Sequence, residues 1–141
     1  MHKQIILPIA VLALGITQSA QADTLTLSVD TSSGKGEIRA AIYANAEAYE
    51  KGDFLKGKAV AAVSGKTNVT FSGLKPGRYG VALFQDINGN EELDRNLLGA
   101  PNEPFGFSNN PVIGFSAPKF DAFKFEYDGT PKTLSIKLNG S

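Results

Sequence analysis

From Leu25 to Leu138 the chain repeats one arrangement: a short run alternating apolar and polar residues, then a cluster of Gly, Pro, Asn or Asp. Alternation with period two places every second side chain on the same face of an extended strand. Such a strand has one face to bury and needs a second sheet to bury it against. Leu25, Leu27 and Val29 form the first run, and Ile38, Ala40 and Ile42 the second. Val69 with Phe71, Phe123 to Tyr127, and Leu134 to Leu138 follow the same rule, and Lys58 to Val63 is a weaker case. Tyr79 to Phe84 is apolar on both faces, which predicts a strand in the middle of a sheet. About seven strands with turns every 8–12 residues predict an all-β, antiparallel sandwich. Helical signals are confined to Ala46–Lys51, where Asn45 can cap the first turn and Gly52 can end the last. Asp128-Gly129-Thr130-Pro131 reads as a hairpin-like link between the last two strands.

The first 22 residues follow a different logic. Lys3 precedes an apolar run from Ile5 to Ile16, and Ala20-Gln21-Ala22 has the small residues of a cleavage site. The run is shorter than the roughly 20 residues a membrane helix needs, and Pro8 interrupts it. Residues 1–22 are therefore expected to be a cleaved signal peptide, and residues 23–141 a single sandwich domain with no transmembrane segment. The expected location is the periplasm or exterior of a bacterium, because a small secreted eukaryotic domain would normally carry cysteines.

Composition then narrows the chemistry. The chain has no Cys or Trp, and its one His and one Met lie within the leader. Residues 23–141 thus lack thiol nucleophiles, disulfides, histidine acid–base catalysis and the usual zinc or copper ligands. Fourteen basic residues balance fourteen acidic ones, and without Lys3 the remainder is one unit negative. No basic cluster marks a nucleic-acid partner.

Asp86-Ile87-Asn88-Gly89-Asn90-Glu91-Glu92-Leu93-Asp94 carries side-chain oxygens at alternate positions, directly after the central strand. A tight loop of this kind can turn Asp86, Asn88, Asn90, Glu92 and Asp94 toward one calcium ion. It differs from an EF-hand in having Gly at the fourth place instead of the sixth and no Glu at the twelfth. The alternative is a polar turn without metal, since Asn88-Gly89 is a strong hairpin signal.

The loop runs on through a Gly-, Pro- and Asn-rich stretch into Phe105-Gly106-Phe107-Ser108-Asn109-Asn110. Six of the nine Phe residues fall between Phe105 and Phe125, a clustering that asks for a cause. Phe105, Phe107, Asn109 and Asn110 could form a surface for a glycan or an envelope protein. Alternatively, the rings pin the loop to the sandwich and cover an open sheet edge.

Catalytic patterns do not hold together. Gly65-Lys66-Thr67 resembles the end of a phosphate loop but has Val60 where the first glycine belongs. Ser-x-x-Lys occurs three times, at Ser32, Ser72 and Ser116, without its companion motifs.

Leu74-Lys75-Pro76-Gly77-Arg78-Tyr79, the Asp86–Asp94 run, Gly99-Ala100-Pro101 and Glu103-Pro104-Phe105-Gly106-Phe107-Ser108-Asn109-Asn110 together resemble an exported bacterial family known as domain of unknown function 2141. The resemblance implies a signal peptide and one β-rich domain, and brings no established activity. The Leu-x-Pro-Gly-x-Tyr corner is also similar to that of prealbumin-like and carboxypeptidase-regulatory sandwiches, many of which are accessory modules, and the expected fold is an antiparallel immunoglobulin-like or prealbumin-like sandwich. The expected function is an exported binding or accessory module, not an enzyme, with a calcium-ordered loop. The alternatives are a structural envelope protein without metal, or a small hydrolase using carboxylates.

Overall fold

The structure, a computed structural model, describes residues 23–95, 97, 98 and 100–140. The expected signal peptide lies outside the described residues. Strands run β1 (Leu25–Thr31), β2 (Glu37–Tyr43), β3 (Lys56–Ala61), β4 (Gly65–Phe71), β5 (Gly77–Asp86), β6 (Phe105–Phe107), β7 (Lys124–Tyr127) and β8 (Lys132–Lys137). Two short helices, α1 (Ala46–Lys51) and α2 (Phe120–Phe123), lie between β2 and β3 and just before β7.

These strands form two sheets. One has the order β4-β1-β8; the other has the order β3-β2-β5-β6, with β7 also paired to β5. β5 is central, with β2 along one side and β6 and β7 sharing the other. The alternation seen in sequence sends Leu25, Leu27 and Val29 of β1 inward to meet Ile38 and Ile42 of β2 and Val81 of β5, all at zero exposure. Each such side chain contributes roughly 1.5–3 kcal/mol of burial relative to exposure.

Two expectations require correction. Among the described residues every strand pair is antiparallel except β1 with β8, which run parallel with Leu25 opposite Lys132. Asp128–Pro131 is accordingly no hairpin: it carries the chain from β7 in the five-stranded sheet to β8 in the other. Pro131 has no N–H to give a hairpin ladder, and Lys132 N–H instead bonds Thr24 O at 3.0 Å. Eight strands form among the described residues, Phe105–Phe107 being one of them.

Local signals explain the rest. Asn45 Oδ1 accepts from Ala48 N–H at 2.8 Å, and Gly52 ends α1 at φ 74°. The Tyr79 hydroxyl donates to Lys75 O at 2.7 Å and so locks the Pro76-Gly77 corner.

Candidate functional site

The outer face of the five-stranded sheet carries a cleft and the acidic loop beside it. Inner positions of β5 are Tyr79, Val81, Leu83 and Gln85, so its outer positions are Gly80, Ala82, Phe84 and Asp86. Next to Ala82 stands Ala41 of β2, its cross-strand partner. These small side chains, with Gly57 and Ala59 of β3, form the floor of a cleft of about 980 Å³. Tyr43, Tyr49, Phe54, Phe84, Phe105 and Phe107 stand around that floor, and Ile113–Ala117 borders it on another side. Arg39, Glu91 and Arg95 supply its charged groups. A volume of this size with predominantly apolar and aromatic walls is typical of a small-molecule site.

One wall rests on an aromatic cluster. Tyr49 of α1 meets Tyr43 edge-on at 5.4 Å and Phe123 at 4.9 Å, and Phe123 in turn meets Phe107 at 4.9 Å. Burial raises both phenols above the usual tyrosine value; at Tyr49 the neighbouring Tyr43 adds to this and Arg95 opposes it. Both therefore stay neutral across the physiological range. The Tyr49 hydroxyl donates to Pro118 O at 3.1 Å, tying α1 to the segment that borders the cleft.

The other wall is the Asp86–Asp94 loop. Asp86 closes β5 with zero exposure, and its carboxylate accepts from Gly89 N–H at 3.0 Å, Glu91 N–H at 2.8 Å and Arg39 Nε at 3.0 Å. Burial pushes this carboxyl up, but the Glu91 N–H, the Arg39 hydrogen bond, the Gly89 N–H and the Arg39 charge together hold it below the usual value. Arg39 also reaches Glu37 at 2.8 Å and Glu91 at 3.7 Å. Gly36 lets the chain before β2 pass close to the end of β5: at φ 67°, an added Cβ would lie 1.9 Å from the Asp86 backbone carbonyl oxygen.

Beyond Asp86 the loop bonds to itself. Asn88 Oδ1 accepts from Asn90 N–H, and Asn90 Oδ1 from Glu92 N–H, giving successive Asx turns. The Asn88 and Asn90 amides donate to the two Asp94 oxygens at 2.5 and 2.6 Å. Asn88, Asn90 and Asp94 therefore meet, whereas Asp86 faces Arg39 and Glu92 is exposed. No group of three His, Cys, Asp or Glu side chains converges among the described residues.

Glu103 ties the loop shut. At 4% exposure, its carboxylate accepts from Ile87 N–H at 2.8 Å and from Asp94 N–H at 3.1 Å, bridging both ends of the run. Sequence reading missed both Glu103 and Arg39. The only hint was an acid set between Asn102 and Pro104 in a segment otherwise poor in charge.

The four residues of the Phe/Asn segment separate into two roles. Phe105 and Phe107 face the cleft from β6, with Phe107 buried and Phe105 half-buried. Asn109 and Asn110 have left-handed backbones, φ 65° and 45°, and turn their side chains to the sandwich. Asn109 donates to Lys124 O, while Asn110 donates to Ser135 O and accepts from Lys137 N–H, so its amide continues the β8 edge.

Residues 29–135 match the model of a bacterial family described as an uncharacterized conserved protein, DUF2141. The chain belongs to that family. No curated protein and no solved structure matches it. Most of the described fold lies within the matched span, including both walls of the cleft. Among the described residues, no helix is long and apolar enough to cross a membrane.

Proposed function

We propose that this protein is an exported binding module that holds an apolar small molecule in the cleft on the outer face of its five-stranded sheet. The observation that carries this reading is the cleft itself, about 980 Å³ with small residues on the floor and aromatic rings around it. Bulky side chains at Ala41 and Ala82 would fill the space, and the chain places alanine at both. The Tyr79–Lys75 bond is a tyrosine corner of the kind known in immunoglobulin-like sandwiches, which supports placing the domain among accessory modules of that type.

The test uses 1-anilinonaphthalene-8-sulfonate, whose fluorescence rises in apolar sites. The folded protein should bind it saturably, and Ala82→Trp should weaken binding at least tenfold while Tm stays within a few degrees. Equal binding by wild type and Ala82→Trp would refute the cleft as the site.

Calcium forms a second part of the proposal. Gly89 at φ 76° and Glu91 at φ 67° put left-handed turns at the fourth and sixth loop places, and the sixth is where an EF-hand turns sharply on glycine. Rotation of the Asn88 and Asn90 amides would present two oxygens beside the Asp94 carboxylate, while Asp86 stays on Arg39. With a Kd near 10⁻³ M, calcium at ten times that concentration stabilises by about 1.4 kcal/mol. Tm should then rise by a few degrees in wild type and not in Asp94→Ala. An unchanged wild-type Tm removes the ion from the proposal and leaves the cleft standing.

A further inference from the structure

Cross-strand register lays the cleft floor out as one row. Gly57 of β3 stands opposite Ala41 of β2, Ala41 opposite Ala82 of β5, and Ala82 opposite Phe107 of β6. The row crosses four strands, a span of about 14 Å from three strand spacings. Rings close both ends. Phe107 stands at one, and at the other the Phe54 ring lies within 2.8 Å of where a Cβ added to Gly57 would be. Tyr43 flanks the row on one side, and the paired Arg39 and Phe84 flank it on the other. Side-chain rows on one face of a sheet are about 7 Å apart, so a row of small residues leaves a slot between taller neighbours. A narrow slot with aromatic walls suits a flat ring system lying across the strands.

Charge does not choose the ligand of this slot, but a hydroxyl does. Each cation lining the cleft already has a partner. Arg39 meets Asp86, Glu37 and Glu91, Lys58 donates to Thr70 O at 2.6 Å, and Arg95 is engaged as well. The Tyr49 hydroxyl donates to Pro118 O. The Tyr43 hydroxyl makes no hydrogen bond with any described residue, and burial is the sole influence that shifts its titration. Tyr43 is half-buried on the cleft wall, so a ligand filling the row beside it takes water away from this hydroxyl. A hydroxyl shut from water without a partner is costly, and the ligand must then carry an atom that bonds to it.

We infer that Tyr43 sets the specificity of the cleft, and that the ligand class is a flat, uncharged aromatic whose hydroxyl or carbonyl oxygen meets the Tyr43 hydroxyl. This inference rests on the cleft reading, and the ligand lies along the row from Gly57 to Phe107.

Equilibrium dialysis with 2-naphthol, naphthalene and 2-naphthoate tests it. Wild type should bind 2-naphthol about tenfold more tightly than naphthalene, which leaves the Tyr43 hydroxyl unpaired. Tyr43→Phe should bring that ratio close to one. Its Tm should match wild type, since the lost hydroxyl bonds to nothing in the fold. Ala41→Leu fills the row and should weaken both neutral probes tenfold or more. Equal affinity of wild type for 2-naphthol and naphthalene overturns the oxygen contact, and a ratio that survives Tyr43→Phe overturns the role of Tyr43. Tighter binding of 2-naphthoate than of 2-naphthol overturns the uncharged class, and indifference to Ala41→Leu overturns the placement along the row. Saturable binding of 1-anilinonaphthalene-8-sulfonate without binding of any naphthalene probe overturns this inference and leaves the cleft reading standing. Absence of binding by all four probes overturns both.

Discussion

Asp86→Ala is expected to destabilise the protein by about 3 kcal/mol or more, a large part of the 5–15 kcal/mol that a domain of this size has. The reason lies in what remains after the carboxylate is gone. Gly89 and Glu91 lose the acceptor for their N–H groups, and the half-buried Arg39 loses the partner on its Nε. Removing one side of a buried, hydrogen-bonded charge pair costs more than the pair itself contributes. Urea unfolding should show a lower midpoint with an unchanged slope. A loss under 1 kcal/mol would mean that water replaces the carboxylate and that the loop is not anchored there.

The same carboxylate fixes a pH dependence. Its folded pKa lies below the ordinary aspartate value, so its stabilisation is fully present above that value. It is lost as pH falls through the folded pKa, in the acid range below about pH 4. Asp86→Ala should flatten this part of the acid limb, and a wild-type limb no steeper than the variant's would contradict the assignment.

Phe123→Ala is the second large effect, at about 3–5 kcal/mol. Phe123 has zero exposure and sits among Tyr49, Phe107 and Phe120. Its ring also lies on β5 at Gly80, where an added Cβ would come within 2.7 Å of it. Glycine there and phenylalanine above it form one packing unit, so truncation leaves a cavity that the sheet cannot fill by moving. Phe123→Leu should lose much less, because it keeps most of the volume. The cost has a functional side, since Tyr49 and Phe107 are cleft walls held by this ring. Phe123→Ala should therefore weaken 1-anilinonaphthalene-8-sulfonate binding at temperatures where the variant is still folded. Near-equal stability of Phe123→Ala and wild type would show that the aromatic cluster is not a packed unit.

The extent to which the site can be read from sequence follows from the range of each interaction. Leu25, Leu27 and Val29 announce a strand because their alternation is local, and Asn45 and Gly52 announce the ends of α1 for the same reason. Phe105-Gly106-Phe107 carries too few residues to show a period and contains a glycine that weakens any strand reading, yet it pairs with Ala82–Phe84. Gly106 fits there because its added Cβ would come within 2.8 Å of Lys137 O, a contact between segments distant in sequence.

The acidic loop shows the same division. Its turn at Asn88-Gly89 and its position after β5 depend on neighbours and were visible in the residues. Its closure by Glu103 and its ion pair with Arg39 depend on residues 9 and 47 positions away from their partners, which no local pattern encodes.

Sequence alone determined that this chain forms β-strands and a small helix, where its turns fall, and which chemistries its missing residue types exclude. Those properties come from backbone preference and side-chain alternation over a few residues. Tertiary structure decided that β8 lies parallel to β1, that Asp86 is buried against Arg39, and that Ala41, Ala59 and Ala82 share a floor. Each of these brings together residues from different strands, and strand pairing is set by how two whole sheets bury their apolar faces. Alanine is unremarkable at any one of these positions in the sequence. Ala82, Ala41 and Gly57 side by side across three strands, with Ala59 on the same face and tyrosine and phenylalanine around them, make a cleft.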